Sequence, residues 1–461
     1  MKTIFQFLFA LCGAGLMCVP NGGAQSTNYM VLHNLTGNDG DGATPYARLA
    51  EGSDGVLYGT TQTGGSAGYG TVFKLNKDGS NYAVLRSFGT SGGDGQNPPE
   101  GLVEGSDGAL YGTTENGGGA GYGTVFKLNK GGSNYTVLHN FGSTSGDGHY
   151  PRASLTVSKD GALYGTTHFG GTGGAGTVFK LNKDGSGYTL LQSFPSPGHS
   201  DSFPGGTVVE GGDGALYGTT EIGGTVFKLS KDGSSYAILY SFAPTSSMYP
   251  SAAPLEGSDG ALYGTTSLGG SWNGGTVFKL NKDGSGYLLL HSFTGSIGDG
   301  SNPQGGLMKG SDGLLYGTTE EGGGSGRGTL FSLKQDGSAY RLLRSFGSYG
   351  TSDGAFPVAG LLEGSDGALY GTTSAGGSVA YGTVFRMDGP GKPCLHLQLT
   401  SANTVILSWP SPSTDFALEE SNILETTNWA SISQAPINNG TTKSVTVPVF
   451  PCTKFYRLKA P

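Results

Sequence analysis

The chain has 461 residues, 88 of them glycine, with only 13% charged residues and a formal net charge of −8. That much glycine without a Gly-X-Y period excludes collagen. A mildly acidic chain also lacks the basic face that phosphate backbones require, so no nucleic-acid partner is expected.

In chain order, the first element is an address. Lys2 is followed by an apolar run from Ile4 to Met17 and then by Gly22, Gly23 and Ala24. A basic start, a short apolar stretch and a small-residue cleavage site predict a secretory signal over residues 1–24. The run is too short for a membrane span, and no later stretch could cross one. Cys12 and Cys18 fall inside this segment without the Leu-small-small-Cys context of a lipoprotein signal, so lipid anchoring is not expected.

Residues 25–389 are built from one repeated unit. Leu-Tyr-Gly-Thr-Thr occurs seven times, with its tyrosine at Tyr58, Tyr111, Tyr164, Tyr217, Tyr263, Tyr316 and Tyr370. A Gly-rich stretch and then Gly-Thr-Val-Phe follow each copy, with Leu330 replacing the valine in the sixth. In the second copy, strands are predicted over 101–104, 109–114, 123–129 and 135–141. Asp-Gly and Gly-Ser turns separate them, since Gly and Asp tolerate positive φ, while Val, Phe, Tyr and Thr favour strands. Four strands in about 50 residues is the size of one propeller blade.

The competing architecture is a linear solenoid, and the ends of the array choose between the two. The seventh copy stops after its third strand, near Met387, and its missing fourth strand stands at the other end of the chain. Residues 29–35 match 82–88 position by position. The expectation is an all-β, seven-bladed, monomeric β-propeller whose N-terminal strand completes the last blade, removing the open edges a solenoid would have to cap.

Blocks such as 101–114, followed by Gly123-Thr124-Val125-Phe126-Lys127-Leu128, resemble the GloVer repeat, the Gloeobacter/Verrucomicrobia-type repeat of exported bacterial proteins. The resemblance covers about residues 29 to 388. It implies export and a propeller-like fold, and it brings no catalytic residues.

A Pro/Gly linker at 389–393 ends the repeats. Residues 390–461 carry strand-like runs at 395–399, 404–409, 415–419, 444–449 and 454–458, with Trp409 and Trp429 as expected core residues. They suit a small immunoglobulin- or fibronectin-like β-sandwich. Its two cysteines, Cys394 and Cys452, form an even pair in an exported chain and read as a disulfide. The ending Lys459-Ala460-Pro461 lacks the hydrophobic tail or sorting motif of the family's anchors, so the expected location is secreted or cell-surface with the mode of attachment open.

Candidate chemistry is sparse. Gly323-Gly324-Ser325-Gly326 reads as linker, not as a nucleophile elbow, because no helix follows. His33, His139 and His291 share a repeat slot with Arg86, Gln192, Tyr240 and Arg344, which reads as an exposed strand position. Aspartates recur in Asp-Gly-x-x-Pro loops at Asp41, Asp94, Asp147, Asp299 and Asp353, with Asp201 in a variant copy. Turn formation accounts for them; calcium is the alternative, richest at Asn38-Asp39-Gly40-Asp41, although EF-hand spacing is missing. No metal site and no cofactor are assigned.

Variation between copies is the remaining signal. The residue after each Thr-Thr pair changes: Gln62, Glu115, His168, Glu221, Ser267, Glu320, Ser374. In a propeller these slots ring one face, where loops vary without damaging the blades. A solvated rim is the plain reading. If anything binds, Glu115, His168, Glu221, Glu320 and the exposed-looking Trp272 are the expected contacts. The chain is thus read as an exported, non-catalytic binding or adhesion scaffold for a protein or glycan. The alternatives are a glycosidase or lyase using Glu115, Glu221 and Glu320, and a structural surface or matrix component.

Overall fold

A computed structural model describes residues 29–389 except 198, 200, 243–248 and 348–352, and beyond them 396–399, 404–410, 417–421, 430–432, 434–438, 442–448 and 455–459. The predicted signal segment, Cys394, Cys452 and Trp429 lie outside the described residues. The chain divides into two compact units, one of Val31–Leu362 with Tyr370–Arg386, the other of Met1–Met30, Glu363–Leu369 and Met387–Pro461. Among the described residues every regular element is a strand, and no helix is long and apolar enough to cross a membrane.

Each Leu-Tyr-Gly-Thr-Thr marker is the second strand of its own antiparallel sheet. In the second repeat the order is Val103–Glu104, Leu110–Thr114, Thr124–Leu128, Thr136–Asn140. Every marker residue has a separate physical task. Leu110 is fully buried in the core. The Tyr111 hydroxyl donates to Asp107 Oδ2 at 2.7 Å, which ties the strand to its own Ser-Asp-Gly turn. Gly112 lies beneath the Phe126 ring, where a Cβ would come within 2.6 Å of Cζ. Thr114 and Thr124 join hydroxyl to hydroxyl at 2.8 Å across the next ladder.

The first threonine looks outward to the neighbouring repeat. Thr113 Oγ1 donates to the carbonyl of Ala153 at 2.9 Å, and Thr60, Thr166, Thr219, Thr265 and Thr318 repeat the bond to Glu100, Gly206, Ala252, Gly305 and Ala359. Thr372 then donates to Ala47, from the last repeat back to the first, at 3.0 Å. The N-terminal strand Tyr29–Asn34 lies beside Thr383–Met387 in the last sheet, and Leu35 N donates to Gly382 O at 3.0 Å.

Aromatic packing fills the seams. Phe88, Phe141, Phe194, Phe242 and Phe293 each meet the Gly-Thr-Val-Phe phenylalanine (Leu330 version included) of the next repeat, with ring centroids 5.1–5.4 Å apart in edge contacts. Such pairs add about 0.5–1.5 kcal/mol each beyond the area they bury.

The histidine slot corrects the sequence reading. It is not an exposed strand position but a second seam contact, half-buried against a tyrosine of the next repeat. His33, His139 and His291 stack on Tyr82, Tyr188 and Tyr340 at 3.6–3.9 Å. Tyr240 stacks on Tyr287 at 4.4 Å, and the Arg86 guanidinium sits 3.9 Å over Tyr135. His, Arg and Tyr are interchangeable here because each offers a flat face.

The Asp-Gly-x-x-Pro aspartates anchor the same seam. Asp299 accepts from the Tyr340 hydroxyl at 2.6 Å, from His291 and from the Thr294 and Gly300 amides. Asp147 likewise holds Tyr188, His139 and the Gly142 and Gly148 amides. These carboxylates are consumed by turn and seam bonds. Among the described residues no group of three or more His, Cys, Asp or Glu is placed to hold a metal ion.

The Gly-rich stretches are more ordered than a linker reading implies. They open with two-residue ladders such as Gly95–Gln96 with Asn116–Gly117 and Gly300–Ser301 with Glu321–Gly322. The innermost segments of all the repeats line a cavity of about 660 Å³.

In the other unit, His396–Leu399, Thr404–Pro410, Thr442–Pro448 and Ile437–Asn438 form one antiparallel sheet, and Ala430–Ser431, Ala417–Ser421 and Phe455–Lys459 another. Val405, Leu407, Val445 and Val447 of the first share a buried cluster with Leu418 of the second.

Candidate functional site

The slot after each Thr-Thr pair is held by its backbone. Its N–H donates to the carbonyl of the residue before the loop proline: Glu115 to Asn97, His168 to Tyr150 and Glu320 to Asn302, at 2.9–3.0 Å. That pre-proline residue is left-handed in repeat after repeat, with φ of 56° at Thr44, 55° at Asn97 and Tyr150, 61° at Phe203, 57° at Asn302 and 58° at Phe356. A bulky residue there is strained by about 1–3 kcal/mol. The conformation is maintained by hydrogen bonds on both sides, as at Tyr150, whose N–H donates to Tyr122 O at 2.9 Å. This second variable slot was missed in the sequence reading; its signal was the changing residue before each Pro.

The two slots converge between the second and fourth repeats. Arg152 Nε donates to Glu115 Oε1 at 2.8 Å, and the guanidinium lies 6.0 Å over the Phe169 ring. Phe169 is exposed and packs 6.0 Å from Tyr150 and 5.2 Å from Phe203. Tyr122 stacks on His149 at 4.1 Å and meets Tyr150 edge-on at 5.5 Å. The His168 ring lies 4.7 Å from Phe169 and 5.2 Å from Phe203.

Electrostatics follow from this enclosure. Burial, and then the Arg152 charge, push the His168 imidazole down to about 4, against a bond to the Pro204 carbonyl, so it is neutral at physiological pH. Its Nδ1 is buried without a hydrogen-bond partner among the described residues. Burial raises the Glu221 carboxyl, and Arg152 opposes that rise.

Three of the five predicted contacts, Glu115, His168 and Glu221, therefore belong to one neighbourhood centred on Arg152. The other two stand apart. Glu320 accepts from Asn302 Nδ2 at 2.7 Å and Gln304 Nε2 at 3.2 Å, and burial raises its carboxyl. Trp272 is 71% exposed. Neither hydrogen-bonds to or stacks on the Arg152 group among the described residues.

The expected solvated ring is also corrected. His168, Ser267 and Ser374 are buried, because the pre-proline residue is bonded across each slot. Ser267 and Ser374 turn their hydroxyls to the carbonyls of Tyr249 and Phe356.

The Gloeobacter/Verrucomicrobia repeat family matches residues 20–225 and 221–427. No curated protein matches the chain. An extracellular domain from B. thetaiotaomicron is similar in structure, with 11% identity and a TM-score of 0.54, covering 90% of this chain and 49% of that one. The GH74 enzyme of Niastella koreensis is similar at 13% identity and a TM-score of 0.54, covering 88% of this chain and 60% of that one. The chain thus spans roughly half to three fifths of these two structures, and the likeness is one of fold.

Proposed function

The chain belongs to the Gloeobacter/Verrucomicrobia repeat family, and from that premise we propose that it is an exported, non-catalytic glycan-binding protein. Its repeats make a closed seven-bladed β-propeller, and residues 390–461 make an immunoglobulin- or fibronectin-like sandwich. The threonine bonds that run from repeat to repeat and return from Thr372 to Ala47 support the closed ring. The signal-like residues 1–24 support export to the cell surface or medium.

One observation carries the binding assignment: Arg152 is held by Glu115 over the exposed ring of Phe169. An exposed aromatic face takes the C–H side of a sugar ring, and the neighbouring guanidinium and carboxylates take its hydroxyls. A buried neutral imidazole with an unused nitrogen adds a fixed polar edge.

The test is a glycan array with the purified exported chain, followed by titration of the best hit. Arg152→Ala with Phe169→Ala should weaken it at least tenfold with circular dichroism unchanged. Glu320→Gln should change affinity less than twofold. Equal affinity in the Arg152/Phe169 variant would place the contact elsewhere, and hydrolysis of a polysaccharide by the purified chain would overturn the non-catalytic assignment.

Cys394 and Cys452 belong to the same reading as a disulfide of the sandwich. In the chain-entropy picture a loop of that length stabilises by about 4 kcal/mol. Thiol titration of exported, denatured protein should find no free thiol; two would refute the bond.

A further inference from the structure

The cavity among the innermost segments carries a second feature. Each repeat contributes two consecutive residues just before its first strand. The first position holds Ala47, Glu100, Ala153, Gly206, Ala252, Gly305 and Ala359, and the second Arg48, Gly101, Ser154, Thr207, Ala253, Gly306 and Gly360. Apart from Glu100 and Arg48, every one of these is Gly, Ala, Ser or Thr. Packing accounts for the small residues. A Cβ on Gly101 would lie 2.3 Å from Arg48 O, one on Gly206 2.5 Å from Ala253 N, and one on Gly305 2.7 Å from Ala359 C. Neighbouring segments touch backbone to backbone here, so a long side chain has only the cavity to enter.

Arg48 and Glu100 both line that cavity, and they come from neighbouring repeats. Water reaches Arg48, although protein surrounds it closely enough to lower its basicity. Each charge feels the other. Yet among the described residues no hydrogen bond or ion pair engages the Arg48 guanidinium, and the Glu100 carboxylate accepts only a 3.4 Å bond from the adjacent Gly101 amide. The two opposite charges thus line one cavity with no ion pair between them. Burial carries the Glu100 carboxyl up to about 7, against the Gly101 amide and Arg48, so near neutral pH it neutralises Arg48 only in part. A guanidinium in that position lacks the planar, two-oxygen partner that its donor fork fits best.

We infer that the cavity is a binding site for a small hydroxylated carboxylate of the uronate class, its carboxylate on Arg48 and a hydroxyl donating to Glu100. The volume of about 660 Å³ lies within the range of small-molecule sites. This site shares no residue with the Arg152 group.

The substitutions that test it are already present in other repeats. Arg48→Ser copies Ser154, and Glu100→Ala copies Ala153, so the fold accommodates both. Glucuronate and glucose are titrated into the exported chain by calorimetry. Glucuronate should bind saturably at one per chain and glucose at least tenfold more weakly. Arg48→Ser should lose glucuronate at least tenfold and Glu100→Ala severalfold, while Ile297→Ser, at an exposed position outside both groups, stays within twofold of the parent. If Arg48→Ser is recovered unfolded, Arg48→Lys decides: it keeps the charge but not the fork, and should weaken glucuronate measurably. No saturable glucuronate binding, equal binding of glucose, or binding unaffected by either Arg48 variant would overturn the inference. Loss in Arg152→Ala with retention in Arg48→Ser would overturn it too, by assigning the sugar to the outer cluster.

Discussion

Single residues decide how tightly each sheet closes. Gly112 is required for space: an added methyl would press on Phe126 Cζ at 2.6 Å and Leu102 Cδ2 at 2.9 Å. Overpacking of this kind costs about 1–3 kcal/mol, so Gly112→Ala should lower the urea midpoint without changing the far-ultraviolet spectrum. His168 makes a second prediction at this scale. Its folded pKa of about 4 lies below the unfolded value near 6.5, so the unfolded chain takes up a proton that the folded chain refuses. Stability is therefore lost as pH falls from about 6.5 to 4, by up to about 3 kcal/mol for this group. The turn aspartates act in a lower window: burial raises Asp107, but bonds from Lys127 and Tyr111 outweigh it and hold it at about 2. The Tm difference between parent and His168→Gln, measured at pH 7 and again at pH 4.5, should shift in favour of the variant on acidification. A constant difference would mean that His168 is protonated in the fold.

At the scale of elements, the seam between repeats is the unit that repeats most faithfully. The fourth-strand phenylalanines are fully buried and meet the next sheet edge-on, Phe141 against Phe179 at 5.2 Å. Phe141→Ala should cost about 3–5 kcal/mol. Phe141→Leu should cost far less, below about 1.5 kcal/mol, because Leu35 already occupies the equivalent place at the last seam, buried and bonded through its amide to Gly382. Denaturant melts of the two variants check the order, and equal losses would mean that the edge-on aromatic contact, not volume, stabilises the seam. The strands themselves were legible: the four predicted in the second repeat lie within about two residues of Val103–Glu104, Leu110–Thr114, Thr124–Leu128 and Thr136–Asn140. The short ladders beside the Asp-Gly loops were not. Two residues give no period to read, and their partners lie about twenty residues away.

For the whole molecule, the strand Tyr29–Asn34 supplies the last sheet's missing edge, and the proposed ring would close there. Deleting residues 25–36 would expose the N–H and C=O groups of Thr383–Met387. The variant should melt at lower temperature and tend to self-associate, and a synthetic peptide of residues 29–35 should restore part of the loss. Unchanged melting without the strand would mean that the repeats hold together through the threonine bonds and aromatic seams alone.

The sequence by itself determined the strand order within each repeat, the number of repeats and the complementary half-repeats at the two ends of the array. These depend on local turn chemistry and on a pattern written seven times. It also marked Glu115, His168 and Glu221 as places where the copies differ. Only the tertiary structure decided that these three surround Arg152, that the histidine slot is a stacking seam, and that Arg48 and Glu100 share a cavity. The physical reason is distance along the chain. A repeat pattern reports what each residue does inside its own sheet, whereas these groupings draw on more than one repeat, as where Glu115 and Arg152, 37 positions apart, are brought together by the packing of one repeat on the next.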